Sequence, residues 1–121
     1  MKDDKLYLLH IADAIRDIEK YLHGLNYDEF VKNSLIIDAV VRKFEIIGEA
    51  SKLLSNNFVR AHPEIPVRDM ADMRNKLIHE YFGVQLEVVW DTAKNDLPEL
   101  KSAVEPLLKD TNLTIEDHKK L

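Results

Sequence analysis

The sequence predicts an all-α fold, an antiparallel bundle of four to five helices, and three observations carry that reading. Only three Gly and four Pro punctuate 121 residues, so few positions force a turn and long stretches can stay helical. Apolar residues recur at steps of three and four, the spacing that lines one face of a helix. No repeat, low-complexity tract or linker divides the chain, and at roughly 100–200 residues per domain its length suits a single core. One bundle is expected over residues 1–110, with a polar, aperiodic tail over 111–121 that frays.

Taking the elements in order, Leu8, Ile11, Ile15, Ile18, Leu22 and Leu25 mark the apolar face of a first helix that ends near Gly24. Asn26, followed three residues later by Glu29, has the form of a capping box and opens a short segment through Phe30. A third helix is expected from Asn33 or Ser34 to Asn57, about 36 Å long at the usual rise per residue. Its apolar residues, among them Val40, Val41, Phe44, Ile47 and Leu54, occupy more than one stripe. Such a helix needs cover on more than one side, as the centre of the bundle or against a second subunit. His62 to Pro66 break the pattern, and a fourth helix is expected from about Val67 to Tyr81 or Phe82, with Pro66 at its first turn and Gly83 as its stop. In the last segment Leu86, Trp90, Ala93, Leu97, Leu100, Val104 and Leu107 continue the stepping. Pro98 cannot donate to the Lys94 carbonyl and should kink or split that helix.

Composition removes several function classes. Without cysteine there is no disulfide scaffold, thiolate metal site or thiol nucleophile. No paired His or HxxxH pattern points to a metal, and no cofactor motif is present. The first five residues lack an apolar signal core, and the densest apolar stretch, Leu35 to Val41, falls far short of the roughly 20 residues that span a bilayer. These features read as a soluble, cytoplasmic chain with no membrane partner. The net charge of -5 argues against non-specific binding to a polyanion. The charge is uneven, however. Residues 1–57, 58–79 and 80–121 carry -2, +1 and -4, so the strip holding Arg68, Arg74, Lys76 and His79 is the one part that is not acidic.

On a wheel of about 100° per residue, Arg74 falls in the middle of the apolar arc formed by Met70, Met73, Leu77, Ile78 and Tyr81. A guanidinium there must find a carboxylate or open into a cleft, because burying it unpaired is very costly. Asn75 and His79 are surface neighbours, whereas Arg74 and His79 lie about 140° apart. Either the Arg74 side chain curls round the helix past Asn75, or two such helices meet across a two-fold axis so that Arg74 of one chain approaches His79 of the other. Arg, His and a polar neighbour suit attack of an RNA 2′-hydroxyl on the adjacent phosphodiester. Imidazole exchanges protons near neutral pH, and guanidinium donates to phosphate oxygens as charge develops on them. That chemistry requires no metal.

The run Arg74-Asn75-Lys76-Leu77-Ile78-His79-Glu80-Tyr81 matches the RNxxxH signature of HEPN domains and the RX4HXY form of the HepT toxins. Arg42 to Leu54 resembles that family's central helix, and Ile65 to Leu100 resembles its IPxRDxxxMRNxLIHxYFGVxxxxVWxxxxxDLPxL stretch, so the similarity covers most of residues 5–108. Val67 departs from the pattern, since many relatives carry Trp there. The resemblance implies a homodimeric HEPN bundle in which Arg74 and His79 of both chains line a shared cleft. It implies a metal-independent endoribonuclease that leaves a 2′,3′-cyclic phosphate, with Asn75 supporting the pair. It further implies a toxin-antitoxin partnership with a minimal nucleotidyltransferase, MntA, which attaches AMP from ATP to Tyr81. The alternative function is a non-catalytic HEPN subunit that presents a binding surface to the nucleotidyltransferase.

Glu45 and Glu49, four apart with Arg42 three before Glu45, read either as an intrahelical ion-pair ladder or as a source of the carboxylate that positions Arg74. Gly48 between them marks a close helix contact. His10, His23, His62 and His118 are scattered, and no role is assigned to them.

Overall fold

The computed structural model describes residues 2–79 and 85–109, except for the side chains of residues 2, 78 and 79. All regular structure among them is helical: α1 (Lys2–Leu22), α2 (Tyr27–Val31), α3 (Ser34–Lys52), α4 (Asn56–Ala61), α5 (Val67–His79), α6 (Leu86–Asp91) and α7 (Leu97–Val104). A π-helical turn, Thr92–Asp96, joins α6 to α7, and a 3-10 turn, Glu105–Leu108, follows α7. The expected stop at Gly83 and the tail over 111–121 lie outside the described residues.

α1 buries the face its spacing marks, with Leu8, Ile11, Ile15, Ile18 and Leu22 all in the core. Gly24 takes a φ of +78°, a left-handed conformation that costs glycine little, and turns the chain into α2. There the capping box forms: Asn26 Oδ1 accepts from the Glu29 N–H at 2.8 Å, and Glu29 Oε1 accepts from the Asn26 N–H at 3.0 Å. The cap aims Phe30 inward, where its ring lies 5.2 Å from that of Trp90.

α3 is the central helix. It packs most extensively on α5 and on α1, which cover Val40, Val41, Phe44 and Ile47, while Leu35 near its start stays 79% exposed. On the α1 side Lys43 Nζ meets Asp17 Oδ2 at 2.9 Å. That hydrogen bond is the main reason the Lys43 pKa is raised. Its contribution is therefore complete at neutral pH and lost only as pH climbs past the ordinary lysine range.

One expectation about helix length is corrected. The third helix does not run to Asn57; it ends at Lys52, and Ser55 caps a separate α4. The cause is Asp4 of α1, only 3% exposed, whose carboxylate accepts from the Ser55 N–H at 2.8 Å and from the Ser55 hydroxyl at 2.7 Å. The hydroxyl oxygen in turn accepts from the Phe58 N–H at 3.1 Å. A buried carboxylate thus takes the N–H that a continuous helix would have used internally. Ser55→Ala removes both the cap and one of the Asp4 bonds, and is expected to cost about 2 kcal/mol in urea unfolding. An unchanged midpoint would show that the Asp4–Ser55 junction does not hold α1 to α4.

The last segment is split next to Pro98, as expected. Pro98 sits in the first turn of α7, and the missing bond is absorbed by the π turn before it, where the Leu97 N–H reaches back five residues to the Thr92 carbonyl. The extra residue shifts the inward stripe. Val89, Ala93, Leu97, Leu100 and Val104 are buried, while Trp90 is half-buried against Tyr27 and Phe30.

Candidate functional site

α5 presents Arg74 to α3 at Gly48, and this contact fixes the site. A Cβ built on Gly48 would overlap the Arg74 Cβ and lie 2.8 Å from the Met70 carbonyl oxygen. The bare backbone at position 48 therefore lets α5 approach closely enough for the Arg74 stem to lie flat against α3. This explains how an arginine occupies the apolar arc of its helix: its methylenes pack and its head emerges.

The head is held on two sides. Nη2 forms an ion pair with Glu49 Oε2 at 3.0 Å, and Nη1 donates to Asn75 Oδ1 at 3.1 Å. The Arg74 side chain keeps 25% of its surface exposed. A guanidinium carries five N–H donors, so these two contacts leave donors for an anion. Within the single chain the Arg74 head turns toward Asn75 and Glu49. Glu49 is engaged across helices by Arg74, which favours the positioning reading over the intrahelical ladder. Exposure of both partners keeps this ion pair modest in energy, so its consequence is orientation more than stability.

A hollow of about 380 Å³ opens beside this cluster. Arg42, Glu45, Glu49 and Arg74 line it from α3 and α5, and Tyr7 and His10 close it from α1. Glu45 thus shares the hollow but not the hydrogen bonds of Arg74. The α1 residues carry no sequence motif; their only signal is their spacing of three, just beside the apolar stripe that α1 turns to the core. A second hollow, of about 460 Å³, lies on the other flank of α5 over Phe44, Met70 and Leu97. Glu64, Asp69, Asp96 and Glu99 contribute four carboxylates to it, and among the described residues no Lys or Arg lines it.

α5 is described through His79, whose side chain is outside the described residues, and Tyr81 lies wholly outside them. The structure therefore brings Arg74, Asn75 and Glu49 together, places Glu45 nearby, and fixes the backbone of His79 on the same helix as Arg74. Among the described residues no three His, Cys, Asp or Glu side chains group as a metal site requires. No helix among them is long and apolar enough to cross a membrane.

Residues 11–107 match the family model described as ribonuclease HepT-like. A probable ribonuclease HepT of Thermococcus cleftensis is 49% identical over 108 residues, covering 89% of this chain and 98% of the relative. A putative RNase of Methanocaldococcus jannaschii is 42% identical over 90% of both chains. One of Caldanaerobacter subterraneus is 39% identical over 90% of this chain and 97% of its own. No solved structure gives a significant match.

Proposed function

The chain belongs to the ribonuclease HepT-like family, and from that premise we propose that it is an endoribonuclease that cuts RNA without a metal ion. The observation that carries this reading is Arg74: a guanidinium pinned by its stem at Gly48, oriented by Glu49 and Asn75, lining an open hollow, and five residues ahead of His79 on one helix. In the proposed reaction the 2′-oxygen attacks the adjacent phosphorus and the bond from phosphorus to the 5′-oxygen breaks. The products are a 2′,3′-cyclic phosphate and a 5′-hydroxyl, and the proton lost by the 2′-hydroxyl is balanced by the one gained at the 5′-oxygen. His79 exchanges these protons, since an imidazole titrates near neutral pH. Arg74 donates to the non-bridging oxygens as negative charge builds on them. Glu49 and Asn75 hold the guanidinium in that direction, and Glu45 supports the same pocket.

In the same proposal two chains pair so that both Arg74–His79 sets face one cleft, which places two copies of the least acidic strip side by side. The protein acts in the cytoplasm as the toxin of a toxin-antitoxin pair. Its MntA-type antitoxin transfers AMP to Tyr81: the phenol oxygen bonds to the α-phosphorus of ATP, pyrophosphate leaves, and the bulky anion two residues beyond His79 blocks the cleft. What supports this is the RX4HXY spacing and the family likeness.

One observation favours a second reading. An ion pair with Glu49 is also what a purely structural arginine would make, so a non-catalytic subunit that offers a docking surface to a nucleotidyltransferase fits Arg74 equally well. The two part on a simple assay. The purified chain is expected to cleave single-stranded RNA in EDTA at a rate that added magnesium does not raise, and expression without the partner should arrest growth. Cleavage that needs a divalent ion would overturn the mechanism, and harmless expression with no cleavage would select the docking subunit.

A further inference from the structure

The hollow beside Arg74 has a composition that the proposed reaction does not use. With Arg74 answered by Glu49, its remaining charged groups are one guanidinium, Arg42, and one carboxylate, Glu45, one turn apart on α3, facing the aromatic ring and imidazole that Tyr7 and His10 bring from α1. Arg42 precedes Glu49 by seven residues, so it stands about 10 Å along α3 from the position that grips the catalytic guanidinium. Tyr7, His10 and Glu45 are half-buried while Arg42 and Glu49 are exposed, so the pocket has a formed wall and an open mouth that carries one cation and one carboxylate, the latter paired with Arg74. The opposite flank of α5 offers the contrast. Its hollow carries four carboxylates and, among the described residues, no cation, and a phosphate backbone is repelled there.

We infer that the hollow between α1, α3 and α5 is a subsite for one unstacked nucleotide of single-stranded RNA, flanking the phosphate held by Arg74. Arg42 pairs with the next phosphate along the strand. Tyr7 supplies a face on which the base stacks, the usual means by which proteins hold splayed-out bases. Glu45, which only accepts hydrogen bonds when ionised, reads the base edge and favours an exocyclic amine over the carbonyl that uracil presents at the same place. The subsite gives the enzyme a base preference and localises RNA on an otherwise acidic chain. It rests on the ribonuclease reading, but it is tested by binding, not by cleavage.

The test uses His79→Ala protein and fluorescein-labelled (rC)8 and (rU)8, with affinities measured by anisotropy over a range of salt. The expected result is a preference for (rC)8 of about tenfold, as for one good base-edge contact, falling to near parity in a background that also carries Glu45→Gln. Arg42→Ala should weaken both oligonucleotides alike and lower the slope of log affinity against log salt by about 0.7, the value for one lost phosphate contact on a single strand. Asp96→Asn, in the acidic hollow, should leave the preference and slope unchanged. Equal affinity for the two oligonucleotides in the parent protein, or an Arg42→Ala slope equal to the parent's, overturns the subsite. So does a change of sedimentation coefficient in Arg42→Ala with unchanged RNA binding, which would assign the hollow to a second copy of the chain. Wild-type protein that cuts no RNA would instead defeat the ribonuclease reading, so the two failures are distinguishable.

Discussion

His79→Ala is expected to slow RNA cleavage about a thousandfold while leaving the melting temperature within a few degrees of the parent. The size follows from the loss of a positioned proton carrier, which is generally worth 10²- to 10⁴-fold. The small effect on stability follows from where α5 is anchored: Met70 and Leu77 are its residues in the core. A companion change, Arg74→Lys, keeps one positive charge but gives up the planar fork that engages Glu49 and Asn75 together. It should retain the fold and lose most of the activity. If His79→Ala cleaves within a factor of three of the parent, the proton carrier lies elsewhere.

The second large effect is expected at Gly48. Replacing a mid-helix glycine with alanine normally favours a helix by as much as about 1 kcal/mol. Here the added methyl would collide with the Arg74 stem and with the Met70 carbonyl, and backbone cannot move aside as a side-chain tip can. Overpacking of this kind costs about 1–3 kcal/mol or more, so the clash wins and the net sign is destabilising, by about 2 kcal/mol. Because the atom displaced belongs to Arg74, activity should fall together with stability, measured by thermal unfolding and by cleavage on the same preparation. A stabilised Gly48→Ala protein with full activity would show that α3 and α5 do not meet closely at this point.

Most of the architecture was legible because it depends on local rules. The apolar stepping of α1, the capping box at Asn26 and the breaking of the chain around Pro63 and Pro66 each involve residues within a few positions of one another. What escaped were features set from a distance. Ser55 ends the long third helix because Asp4, fifty-one residues earlier, reaches it from α1, and nothing near Ser55 announces that. Pro98 was recognisable as a disruption, but whether the helix kinks, splits or widens is decided by how its two halves must face the core. At the site, Gly48 was readable as a close contact, whereas its partner, the Arg74 stem, emerged only with the packing of α3 on α5. The choice for Glu49 between its own helix and Arg74 depended on the same packing. Arg42, Tyr7 and His10 come from two helices and share a hollow that has no sequence motif.

The central claim is that this chain cleaves RNA by internal transfer through Arg74 and His79. It is tested most directly by the ends of the cut strands. An RNA of defined sequence is digested with purified protein in EDTA and the fragments are weighed by mass spectrometry. The account predicts upstream fragments ending in a 2′,3′-cyclic phosphate, downstream fragments beginning with a 5′-hydroxyl, and no cut where the attacking 2′-hydroxyl is replaced by hydrogen. Fragments ending in 3′-hydroxyl with a 5′-phosphate, or cleavage that survives 2′-deoxy substitution at the cut site, would contradict it.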